Sequence, residues 1–96
     1  MYLILLNYKV PIEEVERATP AHREFLDRAY QAEKLLLSGP KVPRTGGVII
    51  ARTKTREEVD QLICEDPFFS EKNCRHEVIE FQALKFLPAL ASLVKP

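Results

Sequence analysis

Near its amino terminus the chain reads Tyr2-Leu-Ile-Leu-Leu-Asn-Tyr8, an almost wholly apolar run that predicts a buried β-strand. Successive side chains of a strand point to opposite faces of a sheet. Leu3 and Leu5 would therefore lie on one face, and Ile4 and Leu6 on the other. Because both faces of this strand are apolar, the sheet that contains it needs a cover on each side.

The remainder of the chain alternates helical and strand patterns. Thr19 is suited to the N-cap of a long helix with Pro20 at its first position, and Thr55-Arg-Glu-Glu58 has the form of a capping box. After the first strand, the predicted elements are a helical turn at 12–17, a helix from Thr19 to about Leu35, a strand at 36–42, a turn at 43–47, a strand at 48–51, a helix from Thr55, a turn or a one-turn helix at 66–67, a strand at 76–83 and a short helix at 86–94.

This order, β-α-β-β-α-β with a terminal helix, predicts an α+β protein with a ferredoxin-like, antiparallel four-stranded sheet. A single domain would cover residues 1–96. Two helices can cover only one face of such a sheet, and the strand at 48–51 is also apolar on both sides. A second copy of the chain, stacked sheet on sheet, is the simplest cover for the other face. We therefore predict a homodimer formed through the sheet face.

Composition and charge argue against some classes of partner. The chain has 14 basic and 14 acidic residues, interleaved along its length, so we expect it to bind neither nucleic acid nor a membrane surface. The apolar run at residues 2–8 is too short to span a bilayer and lacks the flanking features of a signal peptide. Cys64 and Cys74 are expected to be reduced thiols in a cytoplasmic protein, because two cysteines alone make no disulfide framework.

His22 and Asp66 are residue types that can form a proton-transfer pair. His22 would lie in the first turn of the helix that starts at Pro20, where the helix dipole favours the neutral imidazole of a general base. Each residue alone also has a structural explanation. A histidine beside an apolar stripe often only hydrogen-bonds locally, and an Asp before Pro67 is a good N-cap or turn residue.

Ser38-Gly39-Pro40 is a turn-forming tripeptide that is predicted to contact a substrate, because glycine lets the backbone approach a ligand closely. Phe68, most simply a core residue, is predicted to contact the substrate as well. Ser38 has no basic neighbour in sequence that would make it a nucleophile. His76, which alternates with Val78 on the last strand, is expected to be a surface or dimer-facing residue.

No metal site is expected, because the spacing of the histidines and cysteines matches no zinc-ligand pattern. Two arginines, Arg44 and Arg52, flank the strand at 48–51. They are interpreted as solvated side chains, with contact to an anionic substrate as the alternative.

Four segments, taken in order, make the chain similar to the YciI (YCII-related) family over essentially its whole length. These segments are Pro20-Ala-His22, Leu37-Ser-Gly-Pro40, Gly46-Gly-Val-Ile-Ile50 and Asp66-Pro-Phe68. The resemblance implies a dimeric α/β barrel of ferredoxin-like protomers, with an active-site cleft that contains a His–Asp pair, here His22 and Asp66. It also implies that Ser38 and Gly39 lie beside that cleft. The turn at 41–44 departs from the family pattern in being longer and more charged.

The resemblance also implies a reaction class. The wider barrel superfamily includes muconolactone isomerases and small monooxygenases that work without a metal, and proteins with this domain are linked to elimination of chloride from chlorinated aromatics. The resemblance thus implies a cofactor-independent lyase or isomerase, dehydrochlorinase-like, that acts on a small cyclic organic molecule. His22 would be the base and Asp66 would orient it. Two alternatives stay open: a non-catalytic dimer that binds a small metabolite or regulates a partner, and a purely structural pair.

Overall fold

The computed structural model describes residues 1–94. Its elements are β1 Tyr2–Tyr8, α1 Ile12–Gln31, β2 Leu35–Pro40, β3 Gly46–Ala51, α2 Arg56–Glu65, α3 Pro67–Ser70, β4 Cys74–Glu80, a 3₁₀ turn Pro88–Leu90 and α4 Ala91–Val94. The four strands form one antiparallel sheet in the order β2-β3-β1-β4. The predicted ferredoxin-like α+β fold is therefore confirmed. Residues 95 and 96 of the predicted domain lie outside the described residues.

The hydrophobic core lies between one face of the sheet and the helices α1 and α2. Its members alternate along β1 and recur at helical spacing in α1 and α2, as an inward-facing surface requires. They include Tyr2, Ile4 and Leu6 of β1, Val15, Ala18, Phe25 and Ala29 of α1, and Val59, Leu62 and Ile63 of α2. The side chains of Ile4, Val15 and Val59 are at most 1% exposed. This packing fixes α1 and α2 on the sheet.

The opposite face of the sheet, here called the outer face, is also apolar. Leu3 of β1 stands opposite Ile50 of β3 on one side and opposite Ile79 of β4 on the other. Leu37 of β2 extends the same row, since it pairs with Ile50. Leu37 is 53% exposed and Ile79 is 43% exposed, so residues 1–94 of a single chain leave this face partly uncovered.

Helix α1 is longer than the sequence predicted, and the predicted helix start at Thr19 and Pro20 is wrong. Pro20 lies inside a continuous helix that begins at Ile12. An interior proline costs about 3 kcal/mol because it removes a backbone hydrogen bond and crowds the preceding turn. Val15 and Ala18 are buried before it, and their burial offsets this cost. The Thr19 hydroxyl donates to the Val15 carbonyl oxygen at 2.8 Å and so does not cap a helix.

Several predicted boundaries also shift by a few residues. Helix α1 ends at Gln31, and Glu33 then adopts a left-handed conformation (φ 58°) that turns the chain into β2. Strand β2 starts at Leu35 because that side chain is buried in the core. Strand β4 begins earlier than predicted, at Cys74, because its register follows β1 from Tyr8 back to Tyr2. The C-terminal helix is confined to the last residues described. Among residues 1–94, no helix is both long and apolar enough to cross a membrane.

Candidate active site

Asp66 lies at the junction of two helices, where it ends α2 and caps α3. Its Oδ1 accepts a hydrogen bond from the backbone N–H of Phe68 at 2.9 Å. The residue is only 1% exposed. The N-cap role that the Asp66-Pro67 dipeptide suggested is therefore present. Capping uses only part of the hydrogen-bonding capacity of the carboxylate, because both of its oxygens also lie against histidine side chains.

The structure brings His22 of α1 against this carboxylate. His22 Nδ1 lies 2.7 Å from Asp66 Oδ1, and the two side chains are 12% and 2% exposed. The imidazole also stacks on the ring of Phe68, with centroids 4.0 Å apart and planes inclined by 14°. Because an ionised carboxylate only accepts hydrogen bonds, Nδ1 of His22 carries the proton. In the neutral ring, Nε2 then keeps its lone pair.

The predicted position of His22 in its helix was wrong. His22 is the eleventh of the 20 residues of α1, nearly three turns from the N-terminus. The effect of a helix dipole is confined to the first and last turns, so it does not set the charge of this imidazole. The tautomer of His22 is set instead by Asp66.

A second histidine, which the sequence analysis placed on the surface or at a dimer interface, reaches the same carboxylate. His76 Nε2 lies 3.3 Å from Asp66 Oδ2, and its side chain is 3% exposed. Its ring also meets Phe69 edge-on, with centroids 5.6 Å apart. The alternation of β4 puts His76 on one face with Cys74 and Val78, which pack in or against the core, but alternation alone does not say which face is covered.

The protonation of His76 follows from its surroundings. Nε2 donates to Asp66, while Nδ1 is buried and has no hydrogen-bond partner within residues 1–94. Because an ionised carboxylate only accepts hydrogen bonds, the proton of this contact lies on Nε2.

Two opposing effects act on the pKa of Asp66. Burial of the carboxyl raises its pKa, and hydrogen bonds from His22, His76 and the Phe68 N–H lower it. The lowering effects together prevail, so the pKa lies below its ordinary value and the carboxylate is ionised at neutral pH. The same negative charge, added to burial, raises the pKa of the neighbouring Cys74 thiol to about 12. Cys74 is thus a buried, unreactive thiol.

His22 forms part of the wall of a cleft of about 320 Å³. Ser38, Gly39 and Pro40 of β2 line the cleft with it, as does Phe68. The Ser38 hydroxyl lies 2.6 Å from the Tyr30 hydroxyl, which holds it in place. Asp66 is not among the lining residues and lies behind His22. The structure thus gathers all the predicted site residues into one region, with a histidine at the cleft surface and its partner buried.

Some lining residues were not identified from the sequence. Tyr8 at the end of β1 and Arg23 of α1 both line the cleft. Arg23 follows His22 directly, but its role depends on the α1 register, which only packing reveals. Arg44, from the charged turn that departs from the family pattern, lines the cleft too. Arg52 does not, because its guanidinium donates to the carbonyl oxygens of Leu93 at 2.8 Å and Glu33 at 3.1 Å.

The described residues contain no group of three or more His, Cys, Asp or Glu side chains arranged to hold a metal ion. Cys64 is exposed and Cys74 is buried, and neither is paired.

Comparisons with known proteins agree with the fold and identify the family. Comparison with curated protein sequences gives no significant match. A solved structure with a similar fold is 5-chloro-2-hydroxyhydroquinone dehydrochlorinase from Burkholderia phenoliruptrix AC1100 in complex with 2,5-dihydroxybenzoquinone. The two share 18% sequence identity and a TM-score of 0.71, over 84% of this chain and 93% of the dehydrochlorinase. The sequence profile of the YCII-related domain matches residues 1–82, and the chain therefore belongs to the YCII-related family.

Proposed function

We propose that this protein is a cofactor-independent lyase or isomerase that transfers a proton to or from a small cyclic organic molecule. The observation that carries the proposal is the 2.7 Å contact between His22 Nδ1 and Asp66 Oδ1 at the wall of a cleft. His22 is the general base in this proposal, and Asp66 is its positioning residue. Ser38, Gly39, Pro40 and Phe68 form the substrate-binding wall.

The proposed chemistry follows from the hydrogen bonds of His22. With its proton on Nδ1, the ring presents the Nε2 lone pair as the base. Nε2 would remove a proton beside a carbonyl group or a ring carbon of the substrate. The Asp66 carboxylate would stabilise the imidazolium that forms. In an elimination from the diketo tautomer of a chlorinated hydroquinone, the electron pair of the C–H bond next to a carbonyl becomes the new C=C bond, and chloride leaves with the C–Cl pair. In an isomerisation, the proton returns to another carbon.

The similar fold of a dehydrochlorinase makes elimination, rather than isomerisation, the first reaction to test. The solved structure of similar fold is a dehydrochlorinase, and at 18% identity the likeness shows only the fold. Its activity enters here as part of the proposal. An imidazole paired with an ionised carboxylate suits an elimination, because the carboxylate orients the base and stabilises the imidazolium that forms.

The first experiment measures chloride release from 5-chloro-2-hydroxyhydroquinone under anaerobic conditions. We expect turnover by the unmodified chain and a loss of about 10²–10⁴-fold in His22→Gln, since positioned acid–base catalysis supplies an effect of this size. Glu24→Gln is the control, because Glu24 is an exposed residue of the same helix. Its rate should match that of the unmodified chain. An unchanged rate in His22→Gln would contradict the proposed base.

The same variant separates the two alternatives. If the protein only binds a metabolite, the unmodified chain releases no chloride, and His22→Gln weakens ligand binding only modestly. If the pair is purely structural, His22→Gln lowers the free energy of unfolding by a few kcal/mol, as loss of one partner of a buried polar pair does. Thermal unfolding of the variant distinguishes this case from the other two.

We also propose that two copies associate through the outer face of the sheet and that the protein works in the cytoplasm. The partly uncovered row of Leu3, Ile50, Ile79 and Leu37 supports the homodimer, since a contiguous apolar patch favours association. Sedimentation at micromolar concentration should give about twice the 11.0 kDa mass of one chain. Leu37→Glu should shift it to the monomer, and a monomeric unmodified chain would contradict the proposal. The free thiols of Cys64 and Cys74 support a reducing compartment.

A further inference from the structure

The charged side chains that line the cleft beside His22 have one sign. Within residues 1–94, Arg23 and Arg44 line the cleft, and no aspartate or glutamate does. Asp66, which touches His22, is buried behind it and engaged by two histidines. An anion that lies in the cleft therefore meets two guanidinium groups and no lining carboxylate, whereas a cation would be repelled.

Arg23 belongs to the same face of α1 as His22. Thr19, His22, Arg23 and Leu26 all line the cleft, at the spacing of neighbouring positions on one side of a helix. Among the described residues, Arg23 has no carboxylate within ion-pair distance. Its guanidinium donors are therefore available to a solute at a position fixed by the rigid helix.

Arg44 reaches the cleft from the turn between β2 and β3. Its Nε lies 3.4 Å from the hydroxyl oxygen of Tyr8, which also lines the cleft. Its closest carboxylate is that of Glu16, at 3.9 Å from Nη1, and both side chains are well exposed. Such a contact contributes little, so it does not occupy the guanidinium. The Tyr8 contact directs Arg44 toward the cleft while leaving most of its donors unused.

The remaining walls are mostly apolar and include aromatic rings. Leu6, Leu26 and Ile49 line the cleft with Phe68, on which the imidazole of His22 is stacked. Apolar walls favour a flat hydrocarbon ring, and guanidinium groups pair well with negatively charged oxygens. We infer that the substrate of this cleft is a planar ring with an anionic oxygen substituent, held by Arg23 and Arg44. This inference rests on the proposed function of the same site and adds the chemical class of the substrate.

Two quinones of matched shape provide the test. 2,5-Dihydroxybenzoquinone is a vinylogous acid and an anion at neutral pH, whereas 2,5-dimethoxybenzoquinone has the same ring without the charge. Binding of each is measured by calorimetry at pH 7.5, with the unmodified chain and with the double variant Arg23→Gln/Arg44→Gln. The control is Arg17→Gln/Arg28→Gln, which removes the same charge from exposed positions of α1 that do not line this cleft.

We expect the unmodified chain to bind the anion at least tenfold more tightly than the dimethoxy compound. Its affinity for the anion should fall when the salt concentration is raised. The Arg23/Arg44 variant should lose roughly tenfold in affinity for the anion, the scale of a charge-assisted hydrogen bond, with no change for the neutral ring. The control should match the unmodified chain. Equal binding of the two quinones, no binding of the anion, or an unchanged affinity in the double variant would overturn the inference.

The outcome is separable from the test of the proposed reaction. His22→Gln keeps both arginines, so it should bind the anion while losing turnover. Loss of turnover in that variant with no preference for the anion would support the base and refute the substrate class. A clear preference for the anion with no turnover by any chain, the unmodified one included, would support the substrate class and refute the proposed reaction.

Discussion

Two regions of the molecule hold their polar groups in different ways. One is the buried cluster where α1, α3 and β4 meet at Asp66, here called the junction, and the other is the part of the cleft lined by Arg23, Ser38 and Arg44, here called the mouth. At the junction, one carboxylate with 2% exposure accepts hydrogen bonds from His22, His76 and a backbone N–H. At the mouth, Arg23 and Arg44 are exposed and weakly partnered. The junction therefore fixes the orientation of the base, whereas the mouth can vary with little effect on folding. Substitutions at the two regions should therefore differ in what they change.

The largest effect is expected from Asp66→Ala, which removes the centre of the junction. It leaves two buried histidines and one backbone N–H without their acceptor. We expect the free energy of unfolding to fall by about 3–5 kcal/mol, as for removal of one member of a buried polar network. Urea unfolding at pH 7 measures it. The control Asp60→Ala removes an exposed residue of α2 paired only with Arg56 and should cost less than about 1 kcal/mol. Similar losses in both variants would contradict the distinction.

A second prediction concerns acid. The pKa of Asp66 is lower in the folded chain than in the unfolded chain, where it is near 3.9. Its ionisation therefore stabilises the fold fully above that value, and this contribution is lost as pH falls through the folded-state pKa. Urea unfolding from pH 6 down to pH 3 should show a steeper loss of stability in the unmodified chain than in Asp66→Asn. Parallel curves would mean that the junction does not lower the pKa.

His76→Leu should lower the free energy of unfolding by less than Asp66→Ala does. The variant loses the 3.3 Å hydrogen bond to Asp66, but it also removes a buried Nδ1 that has no partner within residues 1–94, and these effects on stability oppose each other. We expect a net loss of unfolding free energy below about 1.5 kcal/mol, with a smaller acid dependence because Asp66 loses one stabilising donor. His22→Leu is the matched comparison, and its 2.7 Å bond should make it more destabilising. The reverse order in urea unfolding would contradict the geometry.

The smallest effect on stability is expected at the mouth. Tyr30→Phe removes the hydroxyl that lies 2.6 Å from Ser38, at a position that is 36% exposed. Water can replace the lost partner there, so the free energy of unfolding should change by less than about 1 kcal/mol. If Ser38 contacts the substrate as proposed, affinity for 2,5-dihydroxybenzoquinone should nevertheless fall severalfold. A large loss of stability with unchanged affinity would place Tyr30 in the folding network of the junction.

The order of elements could be predicted from the sequence, because strand and helix periodicities are local properties. The nearness of His22 and Asp66 could not be obtained from either residue alone and came from the resemblance to a family. The course of α1 through Pro20 could not be predicted, because burial of Val15 and Ala18 outweighs a strong local signal for a helix start at Thr19 and Pro20. His76 was misassigned because its ring lies beneath an edge strand whose alternation, taken alone, does not say which face is covered.

Because Asp66 also joins α2 to α3 and binds β4 through His76, natural variation at this position is constrained twice. In a library of random variants scored for survival, substitutions at position 66 would be depleted under all conditions, because the proteins that carry them fail to accumulate. Positions 23 and 44 would instead be depleted only when the cell depends on the ligand. Descendants of this chain can thus acquire new ligands by changing the arginines while inheriting the same imidazole, held by a residue that the polypeptide cannot readily replace.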